Sequence, residues 1–239
     1  MTERRRDWMH AIARTLRRLS RWPPRGWIRF GMLRRLSPIS RTFGLDRGQS
    51  IDRFYIERFL ASHARDIRGA VLEIGDDGYA RQFGRDHLVT CDVLHVEAGH
   101  PGATIVADLS HADGLASDTF DCIVFTQTLQ FIYGVQAAVE TLHRLLKPGG
   151  VLLATVPGIT QISRYDMDRW GEYWRFTTLS MRRLLEEVFP SATVSVHADG
   201  SVLTAVAFLH GLAAEELRPD ELNYRDADYE LLITARAIK

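Results

Sequence analysis

Apolar residues in this chain gather into short runs, and helical periods separate some of them. Gly69 to Ile74 is one such run, broken at Gly75 by the polar turn Asp76-Asp77. A second, His87-Leu88-Val89-Thr90-Cys91, ends in Asp92, and a third, Ala103-Thr104-Ile105-Val106-Ala107, ends in Asp108. Phe120 to Phe125 is the fourth, entered from Asp118-Thr119, and Val151 to Val156 the fifth, closed by Pro157-Gly158. Runs this short, bounded by turn residues, read as buried strands of a parallel sheet. The segment Gly134–Leu146 instead repeats at helical spacing, with Val135, Ala138, Val139, Leu142 and Leu145 on one face. Lys147-Pro148-Gly149-Gly150 ends that helix, because proline cannot continue it and glycine tolerates positive φ. Upstream, Ser50 is placed to cap a helix to about Ile67, with Phe54, Phe59, Leu60, Ala64 and Ile67 facing inward.

The last third is less regular. Gly158 to Phe176 has no clean period, Thr178 can cap a helix to Phe189, and Ala192–Val196 looks like a strand. Val202–Leu212 reads as an apolar helix and Glu230–Ala237 as a final strand. The alternation predicts an α/β fold: a Rossmann-like parallel sheet with helices on both faces and an antiparallel C-terminal strand.

Charge adds a division that the pattern alone hides. Formal net charge is zero, yet the residues before Gly48 carry thirteen Arg against three acids. A basic helical extension over residues 1–47 and a domain over residues 48–239 are therefore expected. Residues 7–21 place Trp8, Ile12, Leu16 and Leu19 on one helical face, and Trp22-Pro23-Pro24 stops that helix. A second basic and apolar segment runs from Trp27 to Leu36. Three readings stay open: an appendage covering the acidic domain, peripheral contact with an anionic membrane, or nucleic-acid binding. The last lacks any recognition motif and is not expected. Cys91 and Cys122 sit in apolar runs, as small buried hydrophobes of a reducing compartment would. With no apolar run near the membrane-spanning length and no secretory h-region, a cytoplasmic location is expected, with the membrane surface as a secondary site.

The first two runs, with the turn between them, have the form of a βαβ unit that takes a nucleoside-containing cofactor. The turn lets backbone approach a ligand, and an acid at the tip of the second strand can accept ribose hydroxyls. A dinucleotide would need a glycine-rich turn for its pyrophosphate, where Asp76 and Asp77 would repel it. They would tolerate a cofactor with no phosphate and a positive centre, such as S-adenosylmethionine.

In this order and spacing, several segments resemble class I S-adenosylmethionine-dependent methyltransferases. They are Val71-Leu72-Glu73-Ile74-Gly75, Asp92, Ala107-Asp108-Leu109, Phe120-Asp121-Cys122-Ile123-Val124 and Leu145-Leu146-Lys147-Pro148-Gly149-Gly150-Val151-Leu152. The resemblance implies that Glu73, Gly75 and Asp77 border the methionine end of the cofactor and that Asp92 holds the ribose. It further implies that Asp108 meets the adenine amino group, that Leu109 packs on the ring, and that Thr126 and Gln127 lie between methionine and acceptor. The family turn carries two further glycines where Asp77 and Tyr79 stand here. Ile51-Asp52-Arg53-Phe54-Tyr55-Ile56-Glu57 and Tyr173-Trp174-Arg175-Phe176-Thr177 are similar to methyltransferases found with bacterial glycosyltransferases in polysaccharide pathways. That similarity implies O-methylation of a sugar hydroxyl or a related polar metabolite.

Such a transfer needs a group that takes the hydroxyl proton, on a loop above the C-terminal edge of the sheet. Asp166, Asp168 and Tyr165 are the candidates for catalysis. Trp170, Tyr173, Trp174 and Arg175 are the candidates for binding the acceptor, the aromatic rings as a stacking wall. His143, His197 and His210 are read as structural, and no metal is expected. The alternative is a degenerate, pseudoenzyme member that binds a partner or docks on a membrane.

Overall fold

The computed structural model describes Arg29 and residues 31–239. The chain divides into two compact units, Met1–Ser37 and Pro38–Lys239. Described residues of the first hold one 3-10 turn, Gly31–Leu33. The helix expected over 7–21 and the start of the Trp27–Leu36 segment lie outside the described residues. So does the basic face expected to meet a membrane. Among the described residues, no helix is long and apolar enough to cross one.

In chain order the second unit contains α1 (Ile51–Ser62), β1 (Gly69–Ile74), α2 (Gly78–Gly84), β2 (Leu88–His95), β3 (Ile105–Val106), β4 (Phe120–Thr126), α3 (Val135–Leu145), β5 (Leu146–Pro157), α4 (Arg164–Met167), α5 (Thr178–Glu186), β6 (Ser195–Asp199), α6 (Val202–Leu209), α7 (Pro219–Asn223) and β7 (Leu232–Ile238). The strands form one sheet in the order β3-β2-β1-β4-β5-β7-β6. The first five pair in parallel, while β7 runs antiparallel to both of its neighbours. This is the Rossmann-like mixed sheet expected from the sequence.

Period-two alternation in the strands feeds two cores, one on each face of the sheet. Leu72, Ile123, Phe125, Leu152, Ala154 and Ile233 point to the face covered by α3 and α5. Their neighbours Val71, Cys122, Val124, Leu153 and Leu232 point to the other, with Tyr55, Leu60 and Phe208 of α1 and α6. A strand buried on both sides must be apolar at every position, which is why these segments read as unbroken runs.

Boundaries moved where backbone partners, not hydrophobicity, set them. The second strand continues past Asp92 to His95, because Leu94 pairs with Ile74 and the Leu94 carbonyl accepts the Gly75 N–H. Thr177, not Thr178, caps α5; its hydroxyl accepts the Ser180 N–H. The strand expected over Ala192–Val196 is displaced to Ser195–Asp199, paired along β7. Helix α1 ends at Ser62, and Ser50 holds the N-cap position without a side-chain capping bond; its hydroxyl donates to Asp52 instead.

Residues 38–47, placed with the extension by charge, are bonded into the domain. Both the Ile39 and Ser40 N–H groups donate to the His210 carbonyl, and Arg47 pairs with Glu216. Gly44 has φ +84°, and a side chain there would stand 2.7 Å from the Leu212 carbonyl oxygen.

Candidate active site

The strand order reverses between β1 and β4, and the crevice beyond the carboxyl ends of such strands is where open α/β sheets bind ligands. Here it holds a cleft of about 1210 Å³. Its floor is the ends of β1, β2 and β4, and its walls come from the first turn of α1, the segment 41–45 and the loop after β5.

One half of the cleft is built by β1, β2, β3 and the turns at their carboxyl ends. Glu73, near the end of β1, is 2% exposed and faces the start of α2. Its carboxylate accepts the N–H of Tyr79 at 3.2 Å and of Ala80 at 2.7 Å. Burial pushes the Glu73 carboxyl up to about 7, further than those two N–H groups pull it down, and the nearby Asp76 and Asp77 add to the rise. Gly75 has φ +89°, a conformation that favours glycine, and a side chain there would meet nothing within 4 Å. The Asp76 carboxylate accepts the Gly78 N–H at 2.8 Å. Asp77 turns back along α2 to pair with Arg81 and does not line the cleft. Tyr79 does, its hydroxyl tied to Arg53 of α1 at 3.2 Å. Past β3, Asp108 accepts the Ser110 N–H at 2.8 Å and faces His111 Nδ1 at 3.3 Å. Burial pushes the Asp108 carboxyl up, but these partners outweigh it and leave the group below the usual carboxylate range. Leu109 lies beneath, 3% exposed.

Asp92 is not at the strand tip. It lies within β2, where its carboxylate accepts the Thr104 hydroxyl at 2.8 Å, and it does not line the cleft. The tip is His95. Its ring stacks on His100 with centroids 4.5 Å apart and planes at 10°, and it meets the edge of Trp170 at 6.0 Å.

The other half is built by the loops that leave β4 and β5. Gln127 holds φ +47°, a backbone state uncommon outside glycine, fixed by its N–H donating to the Thr155 carbonyl at 2.9 Å. Gln130, 3% exposed, donates its amide to the Gln127 carbonyl at 2.9 Å. The loop after β5 closes on itself, with the Phe176 N–H donating to the Pro157 carbonyl at 2.9 Å. Within it the Glu172 carboxylate takes the Ser163 N–H at 2.9 Å and the Arg175 guanidinium at 2.7 Å, which folds the short helix α4 over the cleft. Asp166 and Tyr165 of α4 line the cleft; Asp168 faces out, 3.6 Å from Arg164. The Arg169 guanidinium covers the Tyr165 ring at 3.4 Å.

Trp170 and Tyr173 line the cleft, whereas Trp174 and Arg175 do not. Trp174 donates its indole N–H to the Ile132 carbonyl at 3.1 Å, and Arg175 supports the loop. Tyr133, which the sequence did not single out, completes a rim with Tyr173 at 5.4 Å and Trp174 at 5.9 Å. Asp52 was also unmarked. It sits in the first turn of α1 at the cleft wall, and burial pushes its carboxyl up against the Ser50 hydroxyl that donates to it.

Residues 79–154 match a family model described as a methyltransferase domain. A solved structure titled a SAM-dependent methyltransferase from Archaeoglobus fulgidus superposes with a TM-score of 0.52 at 10% identity, over 78% of this chain and 94% of that one. The fold is that of the S-adenosylmethionine-dependent methyltransferases. The plantazolicin methyltransferase BamL, solved with a triazolic desmethyl-plantazolicin analogue and S-adenosylhomocysteine, gives 0.50 at 19% identity, over 84% of this chain and 89% of that one. No curated relative matches the chain in sequence.

Set in the methyltransferase fold, six of the residues assigned to the cofactor by resemblance border the cleft: Glu73, Gly75, Asp108, Leu109, Thr126 and Gln127. Asp77 and Asp92 stand outside it, each drawn to a nearer partner. The missed His95 had one sequence signal, its place in the apolar-to-polar step Val93-Leu94-His95-Val96-Glu97. Asp52 and Tyr133 had none, since chain folding alone brings α1 and the loop after β4 to the same mouth.

Proposed function

We propose that this chain is an S-adenosylmethionine-dependent methyltransferase that acts on a hydroxyl of a sugar or a related polar metabolite. The observation that carries the reading is the open approach at Gly75 beneath a cleft walled by Glu73, Asp108 and Leu109. The residues present fit the cofactor. Asp77, which could have filled the turn in place of a glycine, is held away by Arg81. Trp170 Nε1 and Gln130 Oε1 are buried without a hydrogen-bond partner in residues that line the cleft. Buried polar atoms without partners are rare and call for an explanation, and a polar ligand supplies one.

S-adenosylmethionine, when bound, supplies a methyl group already activated by a sulfonium. Glu73, Gly75 and Gln127 would hold its methionine end, and Asp108 and Leu109 its adenine. What remains for the protein is alignment and removal of one proton. Asp166 is placed to take that proton, since it lines the cleft and its carboxylate enters no ion pair among the described residues. Tyr165 stands beside it, and the Tyr133–Tyr173 rim offers flat faces to the apolar side of a sugar ring. The link to sugars rests on the resemblance of the Tyr173–Thr177 and Ile51–Glu57 segments to methyltransferases of glycosyltransferase pathways.

Calorimetry with S-adenosylhomocysteine tests the cofactor, and transfer of labelled methyl to glycosides against simple alcohols and amines tests the acceptor. No binding at millimolar ligand removes the reading; transfer to an amine but to no hydroxyl replaces its second part. The Arg-rich residues 1–47 support peripheral contact with anionic membranes as a partner surface. Liposome binding that does not weaken with added salt would count against it.

A further inference from the structure

The tip of β2 is where a nucleotide fold offers an acid to ribose hydroxyls. In this chain β2 and the loop after it give the cleft Leu94, His95 and Val96, and no carboxylate. Asp92 is turned to Thr104, and Glu97 is exposed outside the cleft. His95 is held there on three sides. Its ring stacks on His100, Trp170 meets it edge-on, and the Glu97 N–H donates to its Nδ1 at 3.0 Å. The Glu97 carbonyl lies 3.2 Å from the same nitrogen, so Glu97 engages Nδ1 in either tautomer and leaves Nε2 for a ligand.

We propose that His95 is the ribose-reading residue of this chain, its Nε2 hydrogen-bonding one ribose hydroxyl where a carboxylate would accept from two. This rests on the methyltransferase reading above. The partners of His95 strengthen it. His100 Nδ1 and Trp170 Nε1 are both buried without a hydrogen-bond partner, and both belong to rings packed on His95. Trp170 also lines the cleft, so a ribose hydroxyl seated at His95 can accept the indole N–H that the protein alone leaves open. Trp170 comes from the loop after β5, which runs over the acceptor half of the cleft. One ring cluster therefore joins the nucleoside to the acceptor side.

The test is calorimetric titration of the full chain with S-adenosylhomocysteine. His95→Phe keeps a ring to stack on His100 but removes both ring nitrogens, and Kd is expected to rise about tenfold. His95→Gln keeps a donor at similar reach and should stay within about threefold of the parent. Asp92→Ala should leave Kd unchanged. Parent-like affinity in His95→Phe overturns the proposal, as does a larger loss in Asp92→Ala than in His95→Phe. Equal losses in His95→Phe and His95→Gln also overturn it, since they would mean that ring packing, not a hydrogen bond, matters. Failure of the parent itself to bind brings down the methyltransferase reading, and this proposal with it.

Discussion

The two halves of the cleft handle their charges in opposite ways. On the β1 side the carboxylates that line the cleft already have partners: Glu73 the N–H groups of α2, Asp76 that of Gly78, Asp108 that of Ser110. On the β5 side the supporting acid Glu172 is locked to Arg175, while Asp166 has no ion-pair partner among the described residues and lies beside exposed rings. A half that must hold a ligand of fixed shape gains from preset geometry. On the function proposed above, the other half takes up a proton, which asks for a group with nothing else to satisfy.

The largest test of that contrast strikes Asp166. Asp166→Asn should lower kcat about 10²- to 10⁴-fold while leaving the Kd for S-adenosylhomocysteine within error. A parallel loss of cofactor affinity would erase the division between the halves.

Next is the pH response of Glu73. Its folded pKa, about 7, lies above its ordinary 4.5, so the charged form is the one the fold disfavours. The stability it contributes is whole below about 4.5 and is lost as pH rises through about 7. The loss amounts to ~3 kcal/mol. Urea denaturation at about pH 5 and about pH 8 should show the parent losing about 2.5 kcal/mol more than Glu73→Gln, since part of the loss is already present at about pH 5. Equal pH dependence in the two proteins would mean that Glu73 is not desolvated.

Smaller again is the contribution of residues 38–47 to the wall of the cleft. A chain beginning at Gly48 lacks the bonds from Ile39 and Ser40 to His210 and the packing of Phe43 on Phe208. It should be less stable than one beginning at Pro38 by on the order of 2 kcal/mol, read as a lower melting midpoint. Matching midpoints would return the segment to the extension.

The smallest effect belongs to the rim. Tyr133→Ala should raise KM for the acceptor about fivefold, near 1 kcal/mol, with cofactor affinity unchanged. If cofactor affinity fell instead, the rim would belong to the nucleoside half.

What was legible came from burial. Strands β1 and β4 and helix α3 lie near their expected limits because each is shielded over most of its length and must be apolar wherever it is shielded, whereas β5 begins at Leu146, ahead of the expected Val151, and takes in Lys147-Pro148-Gly149-Gly150. Glu73, Gly75, Thr126 and Gln127, carried on those same elements or just beyond them, border the cleft. Asp92 misled because the apolar count stopped at the first acid, while backbone pairing with β1 carried the strand on to His95. Nearness in sequence alone groups Asp168, Trp174 and Arg175 with Asp166, Trp170 and Tyr173. A loop with no period gives no rule for which side chains face in.

By itself, then, the sequence determined which segments are buried, their order, and the turn where backbone lies open to a ligand. Those follow from local periodicity and from the backbone freedom of glycine. Tertiary structure decided that Asp77 and Asp92 are occupied by neighbours, that His95 holds the strand tip, and that Asp52, Tyr133 and Asp166 share one mouth. A carboxylate goes to the nearest donor in space, and that distance is set only when helices and strands have packed.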